Sequence, residues 1–183
     1  MREEILLKNL QAGDASAMDE LVRMYYPEIL RYCMWHAPDI HLAEDAAQET
    51  FLKAIKYLGG CGFSGKFRSF LYKIAGNICI DLYRSRRRDN VPLEGLDQEL
   101  CYAEQGFEEA SDQMFIKSLV RKLEPSVQEI VILRFGQDLK LREIADIMGM
   151  PMRTVQSKLR MALKEMKLEL VKGGEADGKG YRK

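Results

Sequence analysis

The basic and polar side chains between residues 67 and 88 have the types and spacing to bind another molecule. Five of them form a stripe on one side of a predicted helix: Lys73, Asn77, Asp81, Arg84 and Arg88. They are separated by four, four, three and four residues, the spacing of one helix face. Lysine and arginine neutralise phosphates, amide and carboxylate groups hydrogen-bond to base edges, and the ring of nearby Phe70 can stack on an unpaired base. The stripe predicts binding to a nucleic-acid strand. The alternative is a core helix with a basic, solvated carboxyl end.

No set of residues has the spacing of a catalytic or metal site. The four cysteines are far apart in sequence and form no CxxC pair, and only two histidines accompany them. Asp45 and Glu49 are four residues apart, but no second carboxylate pair or histidine is predicted on a facing helix. A GxxxxGK[ST] phosphate-binding loop is also absent from the sequence. We therefore expect no catalysis by this chain alone, no cofactor and no metal.

The helices that position the stripe are predicted from apolar spacing. The stripe's own helix, 67–88, has a buried face made of Phe67, Leu71, Ile74, Ala75, Ile78 and Leu82, with Tyr72 and Tyr83 on a third side. Earlier helices are predicted over residues 2–12, after Asp14 and from Asp39. No segment has the convincing alternation of a β-strand. The chain is therefore predicted to be all-α, with a helical bundle in its first ninety residues.

The helix that begins at Asp39 has an unusual outer face. Its inner face is predicted to contain Ala43, Ala47, Phe51, Ala54 and Leu58. Its outer face carries Asp45, Gln48, Glu49, Leu52 and Lys56. An apolar anchor inside a charged rim is typical of a surface that binds another protein. The alternative is a single exposed leucine, which is common in soluble proteins.

The net charge of zero conceals alternating blocks of charge. Residues 64–88 hold seven bases and one acid, a net of +6, and residues 140–172 hold eight bases and four acids, a net of +4. Residues 89–112, which lie between the two blocks, hold eight acids and no base. This distribution predicts two nucleic-acid contacts joined by a spacer that avoids phosphate. With proline, glycine and no sustained period, residues 89–111 are predicted to be an acidic, flexible linker.

The carboxyl-terminal part is predicted to form a second helical domain, residues 112–172. Its second helix is expected to run from Pro125 through Phe135, with Ser126 and Glu129 as a capping box. A tight turn at Gly149 then joins two helices in a helix-turn-helix pattern. The inward positions are Ile144, Ala145, Ile147, Met148, Val155, Leu159, Ala162, Leu163 and Met166, and the exposed ones are Arg153, Gln156, Ser157, Arg160 and Lys164. Such patterns also occur by chance in helical hairpins. Residues 173–183 are predicted to be a disordered tail.

Taken together, these stretches resemble the extracytoplasmic-function sigma factors, two-domain promoter-specificity subunits of bacterial RNA polymerase. The resemblance covers about residues 8–170. The family's core-polymerase-binding helix is resembled by the stretch AEDAAQETFLKA. Its −10 element helix is resembled by FRSFLYKIAGNICIDLYRSRRR, and its −35 helix-turn-helix is resembled by LREIADIMGMPMRTVQSKLRMAL. The implied organisation is domain 2 at residues 1–88, the linker at 89–111, and domain 4 at 112–172.

The resemblance also implies a role for each surface. Contact with the clamp of the largest polymerase subunit would involve Asp45, Gln48, Glu49 and Leu52. The −10 element would meet Phe70, Asn77, Asp81, Arg84, Arg87 and Arg88. The −35 element would meet Arg153, Thr154, Gln156, Ser157, Lys158 and Arg160. The acidic linker would run towards the polymerase active centre, and an anti-sigma factor is a further implied partner.

Several positions depart from the family pattern. Phe70 stands where the family usually has tryptophan, Arg153 where it has a small residue, Gln156 where it has a basic one, and Met161 where it has arginine. We therefore expect altered promoter melting and an atypical −35 sequence. The alternative function is a stand-alone helix-turn-helix regulator that binds duplex DNA without polymerase. The sequence contains neither a membrane span nor a secretory signal, so we expect a cytoplasmic protein.

Overall fold

The computed structural model describes residues 2–58, 63, 65–88 and 115–176, in which all regular secondary structure is helical. The amino-terminal half consists of α1 (Arg2–Gln11), α2 (Ser16–His36), α3 (Ile40–Leu58) and α4 (Phe67–Arg88). The carboxyl-terminal half consists of α5 (115–121), α6 (Pro125–Val131), α7 (Leu141–Met148) and α8 (Met152–Ala176). A π-helical turn, Ile132–Gly136, continues α6. The predicted linker lies outside the described residues.

Side chains at the helix starts explain several of these boundaries. Asp39 accepts a hydrogen bond from the backbone N–H of Leu42 at 2.8 Å and so caps α3, as predicted. The predicted capping box at α6 is wrong. Glu124 is the cap, because its carboxylate accepts from the backbone N–H of Ser126 at 3.1 Å. The carboxylate of Glu129 contacts the amino-terminal half instead, as described below.

The core of the amino-terminal half lies between α2, α3 and α4. Its fully buried side chains include Leu21, Ile29, Tyr32, Phe67 and Leu71. The predicted inner face of α3 is confirmed, since Ala43, Ala47, Phe51 and Ala54 are buried and Leu58 is half-buried. The predicted buried face of α4 is confirmed, with Ile74 and Leu82 half-buried. Each fully buried aliphatic or phenyl side chain stabilises such a bundle by about 1.5–3 kcal/mol.

The two halves pack against each other through polar side chains, and we call this contact the junction. Tyr32 of α2 donates a hydrogen bond to Glu129 of α6 at 2.6 Å. Tyr72 of α4 donates to Gln137, after the π-helical turn, at 3.4 Å. Tyr72 lies on a third side of α4, as predicted, and this side is buried at the junction.

A histidine completes the group around Glu129. Nε2 of His36 lies 3.3 Å from the Glu129 carboxylate, yet this buried nitrogen makes no aligned hydrogen bond with any described residue. Burial lowers the pKa of His36, and the charge of Glu129 acts in the opposite direction. Burial and the neighbouring Glu129 both raise the pKa of Tyr32. At neutral pH the junction therefore holds an uncharged imidazole and a protonated phenol beside the carboxylate.

Two ion pairs extend the junction along α4 and α7. Lys66, which immediately precedes α4, lies 2.9 Å from the carboxylate of Asp146 in α7. Arg68 lies 2.8 Å from Glu28 of its own half and 3.7 Å from Glu143 of α7. Acidic side chains of α7 therefore face basic side chains at the start of α4.

Trp35 and Gly136 approach each other closely at the junction. A Cβ atom at Gly136 would lie 2.8 Å from Nε1 of the Trp35 indole, which is closer than any normal contact. Only glycine therefore allows the π-helical turn to reach α2. Trp35 is the single tryptophan of the chain, so its fluorescence reports on the surroundings of this indole, which also include the Lys117 ammonium of α5, 5.5 Å from the ring centroid.

We expect Gly136→Ala to weaken the junction by about 1–3 kcal/mol, the usual effect of overpacking. The variant should unfold at a lower temperature, and its tryptophan emission should shift to longer wavelength as the indole meets water. Adding Trp35→Phe removes the crowded indole nitrogen and should restore part of the lost thermal stability. Unchanged emission and unfolding in Gly136→Ala would contradict the described approach.

Candidate nucleic-acid interface

The predicted partner surface on α3 lies open to solvent. The residues Asp45, Gln48, Glu49 and Leu52 all occupy exposed positions of this helix. Leu52 is 62% exposed, and Ile55 beside it is 42% exposed. Glu49 forms an ion pair of 3.5 Å with Lys53 on the following turn. The surface therefore presents two aliphatic side chains inside a charged rim.

The polar stripe of α4 lies on an exposed face of the same bundle. Lys73, Asn77 and Asp81 are exposed in the order that their spacing predicts. Helix α4 continues to Arg88, so the backbone positions of Arg84, Arg87 and Arg88 prolong the stripe through two further turns. The side chains of these three arginines lie outside the described residues. The described part of the stripe therefore presents, in order, a cationic, an amide and a carboxylate group.

The predicted stacking residue, Phe70, belongs to an aromatic cluster. Its ring centroid lies 5.0 Å from that of Tyr57 and 5.2 Å from that of Phe63. Phe70 itself is half-buried, whereas Tyr57, in the last turn of α3, is 51% exposed. The sequence analysis missed Tyr57 and Phe63, because helical periodicity does not reveal which rings meet across a loop. Among the rings of this cluster that the structure describes, that of Tyr57 is the most exposed.

The helix-turn-helix geometry predicted for α7 and α8 is present. Gly149 adopts a left-handed conformation with φ of 63°, and the backbone N–H of Met150 donates to the carbonyl of Ala145 at 3.1 Å. Ile144, Val155 and Ala162 are buried between the two helices. The prediction that Leu163 faces inward is wrong, since this side chain is 45% exposed.

Helix α8 presents a cationic outer face. Arg153, Ser157 and Arg160 are exposed on it, and Gln156 is half-buried at its edge. The structure does not bring Lys158 to this face. The Lys158 ammonium instead donates to Ser126 at 2.6 Å and to Glu124 at 3.1 Å, at the start of α6.

Thr154 lies one turn before Lys158, on the same side of α8, and is half-buried. Hydrogen bonds from Ser126 and then from Lys158 hold the pKa of Glu124 at about 2. Lys158 therefore has a carboxylate partner at neutral pH, whereas Arg153 and Arg160 point towards solvent. The cationic outer face is made by the arginines.

The part of the chain that the structure describes contains no group of three or more histidine, cysteine, aspartate or glutamate side chains placed to hold a metal ion. No helix of the described ranges has both the length and the apolar character needed to span a bilayer.

Comparison with protein families identifies both halves. The family model of sigma-70 region 2 matches residues 21–89, and that of sigma-70 region 4 matches residues 116–166. The first match contains α3 and α4, and the second contains α6, α7 and most of α8. All three candidate surfaces therefore lie within the matched regions.

Characterised relatives match over nearly the whole chain. RNA polymerase sigma factor YlaC of Bacillus subtilis is 31% identical, over 88% of this chain and 96% of its own length. ECF RNA polymerase sigma factor SigD of Mycobacterium tuberculosis is 30% identical, over 95% of this chain and 86% of its own length. ECF RNA polymerase sigma factor SigW of Bacillus subtilis is 25% identical, over 90% and 94%.

Two solved structures share the fold. CnrH, in complex with the cytosolic domain of CnrY, has a TM-score of 0.71 at 21% identity, covering 93% of this chain and 97% of CnrH. RpoE of Bartonella quintana, in complex with the anti-sigma factor NepR, has a TM-score of 0.66 at 20% identity, covering 84% of this chain and 96% of RpoE. The matched regions and the relatives agree: the chain belongs to the extracytoplasmic-function branch of the sigma-70 family of RNA polymerase sigma factors.

Proposed function

We propose that this sigma factor divides promoter recognition among the three surfaces. The outer face of α3 binds the clamp of the largest polymerase subunit, the stripe of α4 contacts the −10 element, and the outer face of α8 reads the −35 element. The observation that carries the proposal is the exposure of all three faces on helices whose opposite faces are buried. Run-off transcription with purified core polymerase on a genomic promoter library tests it, because a stand-alone regulator would yield no specific transcripts.

The division of labour requires the two halves to separate. Helix α4 packs on α7 and α7 packs on α8, so the axes of α4 and α8 lie within about two interhelical distances, roughly 20 Å. Elements centred near −10 and −35 are about 25 base pairs apart, or roughly 85 Å along B-form DNA. The 26 residues from 89 to 114 span at most about 90 Å when extended, which is sufficient. The arrangement described here therefore belongs to the sigma factor off the promoter.

An anti-sigma factor is a further partner under this proposal. The two solved structures that share the fold are complexes of CnrH with the cytosolic domain of CnrY and of RpoE with the anti-sigma factor NepR. A partner that holds the two halves together would keep α4 and α8 too close to read both elements. The protein acts on the transcription machinery of the cytoplasm, and polymerase rather than this chain performs the chemistry.

The aromatic cluster refines the proposal for promoter melting. Tyr57 has an exposed ring face beside Phe70, whereas Phe70 contacts rings on two sides. A ring stacked on an unpaired base contributes about 1–3 kcal/mol. We assign the stacking surface to Tyr57 and Phe70 together, with Phe63 supporting them.

Leu52→Asp should abolish binding of core polymerase while leaving the fold intact. Loss of a central apolar anchor typically weakens an interface by 2 kcal/mol or more, which is roughly 30-fold in affinity. Ile5→Asp is the matched control, since Ile5 is also exposed but lies on α1. Affinity is measured by titration with labelled core enzyme and folding by circular dichroism. Equal affinities for parent and Leu52→Asp would exclude α3 as the binding surface.

Arg160→Gln and Lys158→Gln separate DNA contact from structure on α8. Arg160→Gln should weaken holoenzyme binding to all promoters alike and reduce the logarithmic salt slope by about 0.9, the loss of one phosphate contact. Lys158→Gln should instead lower the thermal stability of the carboxyl-terminal half, because it removes the contacts with Glu124 and Ser126. A salt slope reduced equally by both variants would contradict this assignment and return Lys158 to the DNA face.

Gln156→Arg should change which base is preferred at one −35 position. Glutamine pairs with N6 and N7 of adenine, whereas arginine prefers O6 and N7 of guanine, and a good bidentate pair discriminates by about 1–3 kcal/mol. We expect selection from a randomised −35 library to shift from adenine to guanine at that position. Arg160→Gln serves as the control and should leave the consensus unchanged. The same consensus for the parent and Gln156→Arg would show that Gln156 reads no base.

A further inference from the structure

The nucleic-acid stripe of α4 extends one turn further towards the amino terminus than the sequence analysis placed it. Lys66 lies four residues before Phe70, which lies three residues before Lys73. The backbone N–H of Phe70 donates to the carbonyl of Lys66 at 3.1 Å, so Lys66 already follows the helical path. These three side chains therefore lie on one side of the helix, in line with Asn77.

Asp146 of α7 lies against this end of the stripe. Its carboxylate accepts a hydrogen bond from the Lys66 ammonium at 2.9 Å. That bond, with the charges of Lys66, Arg142 and Lys73, holds the pKa of Asp146 below its usual value. Asp146 is therefore an anion at neutral pH, within the field of both lysines of the stripe.

We propose that Lys66 and Lys73 bind phosphates of the −10 strand, and that Asp146 occupies the phosphate position at Lys66 while the two halves are packed. This inference rests on the proposed function of α4. A carboxylate and a phosphate are both anionic oxygen acceptors for a lysine ammonium. Asp146 and the DNA backbone therefore compete for the same cations.

The neighbouring ion pair shows why the competition centres on the lysines. Arg68 is 29% exposed and hydrogen-bonded to Glu28 within its own half, so its guanidinium is occupied in either arrangement. The Lys66 and Asp146 side chains are 56% and 48% exposed. Exposed ion pairs are weak and screened by salt, so a polyanion can displace Asp146.

The experiment measures binding of the full chain to a 20-nucleotide single-stranded DNA of mixed sequence, over a range of salt concentrations. Lys66→Gln and Lys73→Gln should each reduce the logarithmic salt slope by about 0.7, the value for one phosphate of a single strand. Lys8→Gln on α1 is the matched control and should leave the slope unchanged. Asp146→Asn should raise affinity several-fold, and Lys66→Gln in the same chain should remove most of this gain.

Glu165→Gln is the control for net charge, since it removes one exposed acid of α8. An equal gain in affinity from Glu165→Gln and Asp146→Asn would overturn the inference, because the effect would then come from overall charge. An unchanged slope in a folded Lys66→Gln variant would also overturn it. A different outcome is that run-off transcription fails while Lys66→Gln and Lys73→Gln still reduce the salt slope as expected. That result would refute the proposed sigma function but would support the phosphate site.

Discussion

The carboxylate of Glu129 joins the polar groups that are buried where the two halves of the chain meet. It accepts a hydrogen bond from the hydroxyl of Tyr32 and lies beside the imidazole of His36. A buried phenol or carboxylate is tolerated only when it is hydrogen-bonded, so these groups depend on one another. Once the halves separate, water can solvate each of them. The junction combines these polar groups with apolar side chains, since one continuous buried core includes residues of both halves.

Helix α4 must satisfy three environments along its 22 residues. Phe67, Leu71 and Ala75 fill the core of the amino-terminal bundle, and Tyr72 contributes to the junction. Lys73 and Asn77 remain in solvent. Because a helix repeats every 3.6 residues, a change of register would move all three sets at once. The exposed face, proposed to bind nucleic acid, is thus held in place by the packing of the other two.

The sequence allowed the faces of individual helices to be predicted, but not the contacts between distant helices. The buried residues of α3 and α4 follow from local spacing, and so does the left-handed turn at Gly149. Helical spacing places Tyr72 on a third side of α4 but does not predict its burial, because its partner Gln137 lies 65 residues away. The resemblance implies a DNA contact for Lys158, whereas in the folded domain its ammonium contacts Glu124 and Ser126, which are 34 and 32 residues away in the sequence.

The aromatic cluster illustrates the same limit. Phe70 was recognised from its place beside the stripe, but its contacts with Tyr57 and Phe63 depend on how α3 approaches α4. Glu129 was assigned to a local cap because the sequence spacing permits one, and the structure directs its carboxylate to Tyr32 instead. In both cases the deciding partner belongs to another helix, which helical periodicity does not identify.

The short covalent connection between α4 and the carboxyl-terminal half has a consequence for how the junction responds to partners. Tethering through residues 89–114 replaces a bimolecular encounter by an intramolecular one, with an effective concentration of the order of millimolar. The contacts of the junction therefore form within one chain at an effective concentration about a thousandfold above micromolar. A partner that binds either half must compete with the other half at this effective concentration.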